Sequence, residues 1–117
     1  MSHTLGIKID GTRISDEDAK IIGLYIMGFG NPEVNQIIYL ALPTIHNKAS
    51  NLYNLFDTFK TPTALSALAL HYGFDHYGRV NGIDVFTPQE RERILAFKPL
   101  PLRQTCRLII TRQPVKQ

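Results

Sequence analysis

Apolar residues recur at helical spacing in three consecutive segments between positions 15 and 56. The first segment follows Ser15, which is suited to be a helix N-cap, and ends at a glycine-containing turn. The second restarts at Asn31-Pro32, with Asn as the cap and Pro at the first helical position. The third opens near Pro43 and has one apolar face. The residues of that face are Ile45, Ala49, Leu52 and Phe56.

Two further helices are predicted downstream. Thr61-Pro62 begins a fourth helix that closes at Gly73, and its surface is apolar nearly all round. We therefore expect this helix to be covered on two sides, with the second cover supplied by the tail or by a partner subunit. The segment Thr87-Pro88-Gln89-Glu90 is a capping box, which predicts a fifth helix through about Phe97.

The remaining segments predict little regular structure. Residues 5–14 alternate apolar and polar about Asp10-Gly11, which predicts a small hairpin or an extended arm. Gly78, Asn81 and Gly82 mark turns, and residues 107–111 predict a short strand or an extended segment.

These elements predict a mainly α fold with a helix-turn-helix arrangement of the first helices, because short links hold one such helix across another. The predicted organisation has three parts: an N-terminal arm over residues 1–13, a four-helix domain over residues 14–74, and a C-terminal extension over residues 75–117 with one further helix and a short strand. A chain of 117 residues builds one modest core.

The net charge of +3 is unevenly distributed. Residues 1–75 contain five Lys or Arg and seven Asp or Glu, a net charge of −2, whereas residues 76–117 contain eight and three, a net charge of +5. The extension is therefore the basic part of the chain, and it is the part suited to contact an anionic partner.

Several classes of function find no support in the sequence. Cys106 is the only cysteine, which excludes an intrachain disulfide and a cysteine-rich metal site. No nucleophile–base pair, carboxylate dyad, glycine-rich phosphate loop or metal-ligand spacing of histidines is present, so we expect no catalysis, no cofactor and no metal. The chain has neither a signal peptide nor an apolar run of roughly 18 residues, and we expect it in the cytoplasm.

The polar residues of the third helix share the face opposite its apolar one. They are His46, Asn47, Ser50, Asn51 and Asn54. The pattern of residue types over positions 14–74 also matches a known family without a gap. The matching residues are Ile14-Ser15, Asp18, Gly28, Asn31, Glu33-Val34-Asn35, Ala41, Thr44-Ile45-His46, Lys48, Ser50-Asn51-Leu52, Ala64 and Gly73-Phe74. The chain thereby resembles the LuxR-type helix-turn-helix family of bacterial transcription regulators.

The resemblance implies that the third helix lies in the major groove of duplex DNA and that the fourth helix makes a dimer contact. By position, it implies two groups of DNA-contacting residues, one at base edges and one near phosphates. The first group is His46, Asn47 and Ser50, and the second is Thr44, Lys48 and Asn51, with Lys60 as a second cation of this DNA-binding face.

We therefore expect a homodimeric, sequence-specific DNA-binding transcription regulator. The part expected to read DNA has a net charge of −2. Either the basic extension therefore neutralises the phosphates, or the unit binds a protein instead of DNA. The candidate phosphate contacts of the extension are Arg91, Arg93, Arg103, Arg107 and Arg112. The alternative is a protein-interaction module, such as an antiactivator that pairs with a related regulator through its apolar fourth helix. RNA polymerase is a further candidate for a protein partner.

Overall fold

Five helices and two short hairpins make up the chain over residues 5–97, the part that the computed structural model describes. The helices are α1 (Asp16–Ile26), α2 (Asn31–Ile38), α3 (Leu42–Leu55), α4 (Pro62–His71) and α5 (Pro88–Phe97). The strands are β1 (Lys8–Ile9), β2 (Thr12–Arg13), β3 (Arg79–Val80) and β4 (Ile83–Asp84). The mainly α fold with an additional helix is confirmed, whereas the strand predicted over residues 107–111 lies outside the described residues.

The predicted N-cap of α1 is present, and α4 begins at the predicted Thr61-Pro62 with a side-chain cap of its own. Ser15 Oγ accepts a hydrogen bond from the backbone N–H of Asp18 at 3.1 Å, and Thr61 Oγ1 accepts one from the N–H of Ala64 at 3.2 Å. Each bond satisfies one of the N–H groups that a helix leaves unpaired in its first turn. The sequence therefore located the starts of both helices.

The start of α2 is shifted by one residue from the prediction. Gly30 is the N-cap, and Asn31 is already helical. The amide oxygen of Asn31 accepts the Tyr25 hydroxyl at 2.6 Å, while the Glu33 carboxylate accepts the N–H of Gly30 at 2.9 Å. The side chain expected to cap α2 thus ties the helix to α1 instead.

Helices α2 and α3 form the helix-turn-helix pair, and Tyr39 makes the turn between them with a left-handed φ of 59°. Helix α1 packs against both α3 and α4. In α3 the predicted apolar face is buried except at Phe56, which is half-buried because the helix ends at Leu55. Tyr53 completes the buried face instead.

Within the described residues, helix α4 has one buried face and one exposed face, whereas its composition predicted cover on two sides. Leu65 and Ala69 are fully buried, and Leu68 packs against the same core. The exposed positions of the helix beyond its first residue are Thr63, Ala67 and His71. The outward face of α4 therefore presents small and polar side chains.

The segments before and after residues 14–74 share its core. Ile7 and Ile9 of the N-terminal hairpin are buried in the same cluster as Val85 and Ile94 of the extension. In α1, a Cβ at Gly23 would lie 3.2 Å from the Cα of Gly78, so this close approach of two backbones favours glycine. The described residues on both sides of the predicted boundaries at positions 13 and 74 therefore pack around one common core.

Two Asx-Gly pairs form the hairpin turns. Asp10 and Gly11 have φ values of 52° and 77°, and Asn81 and Gly82 have φ values of 51° and 84°. Positive φ at both central residues is the requirement of a type I′ turn. The first hairpin is one of the two predicted alternatives, whereas the second was predicted only as turns.

Helix α5 is attached to the rest of the fold by polar contacts. Thr87 and Glu90 form the predicted capping box, with the Thr87 N–H donating to Glu90 at 2.8 Å and the Glu90 N–H donating to Thr87 Oγ1 at 3.1 Å. Glu90 is also paired with Lys20 of α1, at 3.0 Å between Nζ and Oε1. Glu90 is the one buried charged residue of the described chain.

None of the helices within residues 5–97 combines the length and the apolar character needed to cross a membrane.

Candidate nucleic-acid interface

The outer face of α3 is an exposed strip of uncharged polar side chains. A helix has 3.6 residues per turn. With this periodicity, three asparagines and one serine lie in the middle of the α3 face opposite the buried Ile45. They are Asn47, Ser50, Asn51 and Asn54. Because α3 has 14 residues, the helix is roughly 20 Å long. Amide and hydroxyl groups donate and accept hydrogen bonds, as base edges in a major groove require.

The structure brings six of the seven predicted DNA-binding residues together on α3. His46 is exposed on one edge of the strip, and Thr44 and Lys48 lie on the opposite edge, beside α1. Lys60 is exposed but lies in the connection between α3 and α4, and so does not share the α3 face. Asn54 lies within the strip although it was not among the predicted DNA-binding residues.

Lys48 is engaged by two acids of α1. Its Nζ lies 3.3 Å from Glu17 Oε1 and 4.0 Å from Asp18 Oδ1. One edge of the strip therefore holds one cation and two carboxylates, a local net charge of −1. This edge would repel a phosphate unless the lysine exchanged its partners.

Two arginines of the extension that the sequence offered for phosphate binding have other partners. Arg91 binds both carboxylate oxygens of Asp84 at 2.9 Å and donates to the carbonyl of Tyr77 at 2.7 Å. Arg93 donates from Nε to the carbonyl of Ile37 at 2.7 Å. Both arginines therefore hold α5 in place, Arg91 against the β3–β4 hairpin and Arg93 against the end of α2.

The pairing with Arg91 helps to stabilise the ionised form of Asp84. Burial by itself raises this pKa, but the hydrogen bonds from Arg91 and from the Phe86 N–H, together with the charges of Arg91 and Arg79, outweigh it and hold the pKa below its ordinary value. Asp84 is therefore ionised at neutral pH and fixes the guanidinium of Arg91.

The positive charge of the chain is concentrated outside the described residues. Residues 5–97 contain eight Lys or Arg and ten Asp or Glu, a net charge of −2. Residues 98–117 contain five cations and no acid. The cations are Lys98, Arg103, Arg107, Arg112 and Lys116. The net charge therefore changes sign more abruptly when the chain is divided after position 97 than when it is divided after position 75.

Beside the polar strip, the end of α3 exposes large apolar side chains. Leu55 is 55% exposed, and Phe59, in the connection to α4, is 84% exposed. Single exposed apolar residues are ordinary, but two so close in sequence offer a contact to another macromolecule. Periodicity did not single out this pair, because Phe59 lies outside any helix.

Within residues 5–97, no cluster of three or more His, Cys, Asp or Glu side chains is arranged to hold a metal ion.

Comparison with protein-family models, with curated proteins and with solved structures finds no match to this chain.

Proposed function

We propose that this protein is a cytoplasmic, homodimeric regulator of transcription that binds duplex DNA through the outer face of α3 and catalyses no reaction. The observation that supports this function best is the exposed strip on α3, where hydrogen-bonding side chains recur at one-turn spacing from Asn47 to Asn54. A major groove is wide enough to admit one helix, and an asparagine can pair with both hydrogen-bonding atoms of an adenine edge.

Phosphate binding is assigned to the cations of residues 98–117. The strip itself is uncharged and Lys48 at its edge is paired with acids, so this face supplies almost none of the charge neutralisation on which affinity for DNA depends. In this proposal α3 selects the sequence, and the five cations that follow α5 provide most of the affinity.

The dimer contact is assigned to the outward face of α4. Thr63 and Ala67 are small and exposed on successive turns, which lets a second helix approach closely. A two-fold dimer presents two copies of α3 to one side of the DNA, about one helical turn apart.

Selection from a random duplex library tests this function. We expect enrichment of an inverted repeat with half-sites about one helical turn apart. Asn47→Ala and Ser50→Ala should each reduce discrimination at one base position by on the order of 1 kcal/mol or more. The matched control is Gln89→Ala, an exposed amide on α5 that should leave the motif unchanged. If no motif is enriched, base recognition by α3 is rejected.

A second candidate function is binding to a protein, such as a related regulator or RNA polymerase, as an antiactivator does. It is favoured by the acids that pair with Lys48 and by the exposed Leu55 and Phe59 at the start of the connection to α4. Phe59→Ser would abolish regulation in this case, while Asn47→Ala would be silent. The opposite pattern in a reporter assay supports DNA binding.

A further inference from the structure

A cleft of about 520 Å³ lies between the α2–α3 turn and α5. Its lining comes from three parts of the chain: the end of α2, the turn itself and the last two turns of α5. The lining residues include Asn35, Gln36, Tyr39, Leu40, Arg93 and Phe97. We call it the Arg93 cleft.

Arg93 is held in a fixed orientation within this cleft. Its Nε donates to the carbonyl of Ile37 at 2.7 Å, and its guanidinium carbon lies 4.1 Å from the centre of the Tyr39 ring. The carbonyl positions one edge of the guanidinium, and the ring covers one of its faces. Among residues 5–97, the two Nη groups have no hydrogen-bond acceptor.

The free part of this guanidinium can receive an oxyanion. The two Nη groups form a fork that matches the two oxygens of a carboxylate, and such charge-assisted pairs are the stronger class of hydrogen bond. Because the Nε bond and the Tyr39 ring already fix the plane, less side-chain entropy is lost when an anion binds. The cleft therefore contains a preoriented anion receptor.

The rest of the lining determines which oxyanion fits. Within residues 5–97, Arg93 is the one charged residue that lines the cleft, so the described lining offers a single positive charge. Tyr39 and Phe97, 71% and 40% exposed, provide aromatic surface, and Leu40 adds an aliphatic wall. A monovalent carboxylate with a flat apolar body matches one guanidinium among aromatic rings better than a strongly hydrated phosphate dianion does.

We propose that the Arg93 cleft is a binding site for small aromatic carboxylates. The bound carboxylate lies against the Nη fork of Arg93, and its apolar body lies against Tyr39 and Phe97. The ligand then contacts α5 and the α2–α3 turn together, so it links the extension to the segment that leads directly into α3. This site acts without DNA and does not depend on the proposed function.

The test is a titration of the full-length protein, free of DNA, followed by NMR of backbone amides and arginine Nε–H groups. Benzoate is the probe, benzamide is its neutral counterpart, and inorganic phosphate is the purely anionic comparison. We expect saturable benzoate binding with a Kd on the order of 1 mM, centred on Arg93 and Tyr39. Benzamide and phosphate should bind at least about tenfold more weakly.

Three variants locate the binding. Arg93→Gln should abolish benzoate binding, and Tyr39→Asn should weaken it several-fold while tolerating the left-handed φ at this position. Arg79→Gln is the matched control. Arg79 also stacks on an aromatic ring, since its guanidinium carbon lies 5.0 Å from the centre of the Tyr77 ring. Unlike Arg93, it is ion-paired with Asp75 and lines no part of this cleft. This control should bind benzoate as the wild type does.

The proposal is overturned if benzamide or phosphate binds as tightly as benzoate, or if benzoate binding survives in Arg93→Gln. Loss of binding in Arg79→Gln would equally overturn it, since general attraction to basic surface would then be the cause. Should Arg93→Gln fail to fold without its bond to Ile37, Tyr39→Asn and the benzamide comparison decide the question.

Discussion

Replacing Glu90 with alanine should destabilise the whole described fold. The Glu90 side chain is 10% exposed and that of Lys20 is 17% exposed, so the ion pair between α5 and α1 is largely shielded from water. Removing one partner of a buried pair costs roughly 3–5 kcal/mol, because the other charge is left without compensation. Lys20 retains some exposure and can extend toward water, so the lower end of that range, about 3 kcal/mol, is the expected loss.

The same substitution also removes the acceptor of the α5 capping box. Thr87 N–H loses its 2.8 Å hydrogen bond, which adds about 1 kcal/mol. Glu90→Ala should therefore lower the free energy of unfolding by about 4 kcal/mol in total. Single domains are stable by roughly 5–15 kcal/mol, so the variant would be marginally folded.

Glu90→Gln separates the two contributions. Glutamine keeps an oxygen that can accept the Thr87 N–H but removes the charge, so its cost should be smaller, about 2 kcal/mol. In a cycle with Lys20→Met, the double variant should be more stable than the sum of the single losses predicts, because no buried charge is then left unpaired.

Urea denaturation at neutral pH measures each of these differences, and Glu92→Ala is the matched control. Glu92 is exposed on the same helix and its side chain has no hydrogen bond or ion pair within residues 5–97, so its loss should change stability by less than about 0.5 kcal/mol. Equal stabilities of the Glu90→Ala and Glu92→Ala variants would refute the argument that this pair fixes α5 to α1.

Three other outcomes are expected. Replacing the Lys and Arg residues of segment 98–117 with Gln should lower the salt dependence of DNA binding by about 0.9 in log–log slope for each phosphate that is no longer neutralised, and a slope equal to that of the wild type would contradict the assignment. Ala67→Glu should convert a dimer into a folded monomer in sedimentation experiments, whereas a wild type that is already monomeric at micromolar concentration would count against the α4 interface. Asp84→Asn should reduce stability by about 1 kcal/mol at neutral pH. Because the folded-state pKa of Asp84 is lowered, this difference should begin to shrink as the pH falls through about 4 and should be lost once the pH is below the folded-state pKa; a difference that does not shrink on acidification would exclude the ion pair as its cause.

The elements that local chemistry specifies could be predicted from the sequence. Caps such as Ser15, Thr61 and the Thr87–Glu90 box act within four residues, so their signal is complete in a single stretch of sequence. The Asp10-Gly11 turn is equally local. The error at Asn31 arose because the Tyr25 hydroxyl competes for the same side chain, and a capping rule does not include that competitor.

Contacts between distant residues could not be predicted. Lys20 and Glu90 are 70 positions apart, and Arg93 and Ile37 are 56 positions apart, so no periodicity connects them. For the same reason Arg91 and Arg93 were expected at phosphates, although one pairs with Asp84 and the other with a backbone carbonyl. The β3–β4 hairpin was predicted only as turns, although its Asn81-Gly82 pair is as local a signal as Asp10-Gly11.

The close approach of Gly23 to Gly78 bears on how this protein can be dissected. Residues 14–74 are the span that the sequence predicts as one domain. That span alone would expose the groove on α1 where Gly78 and the Phe86 ring now lie against Gly23, together with the apolar surface beneath the N-terminal hairpin. A chimera that joins residues 14–74 alone to a foreign dimerisation partner should aggregate, because a transferable piece has to include the N-terminal hairpin and the segment from Gly78 to α5.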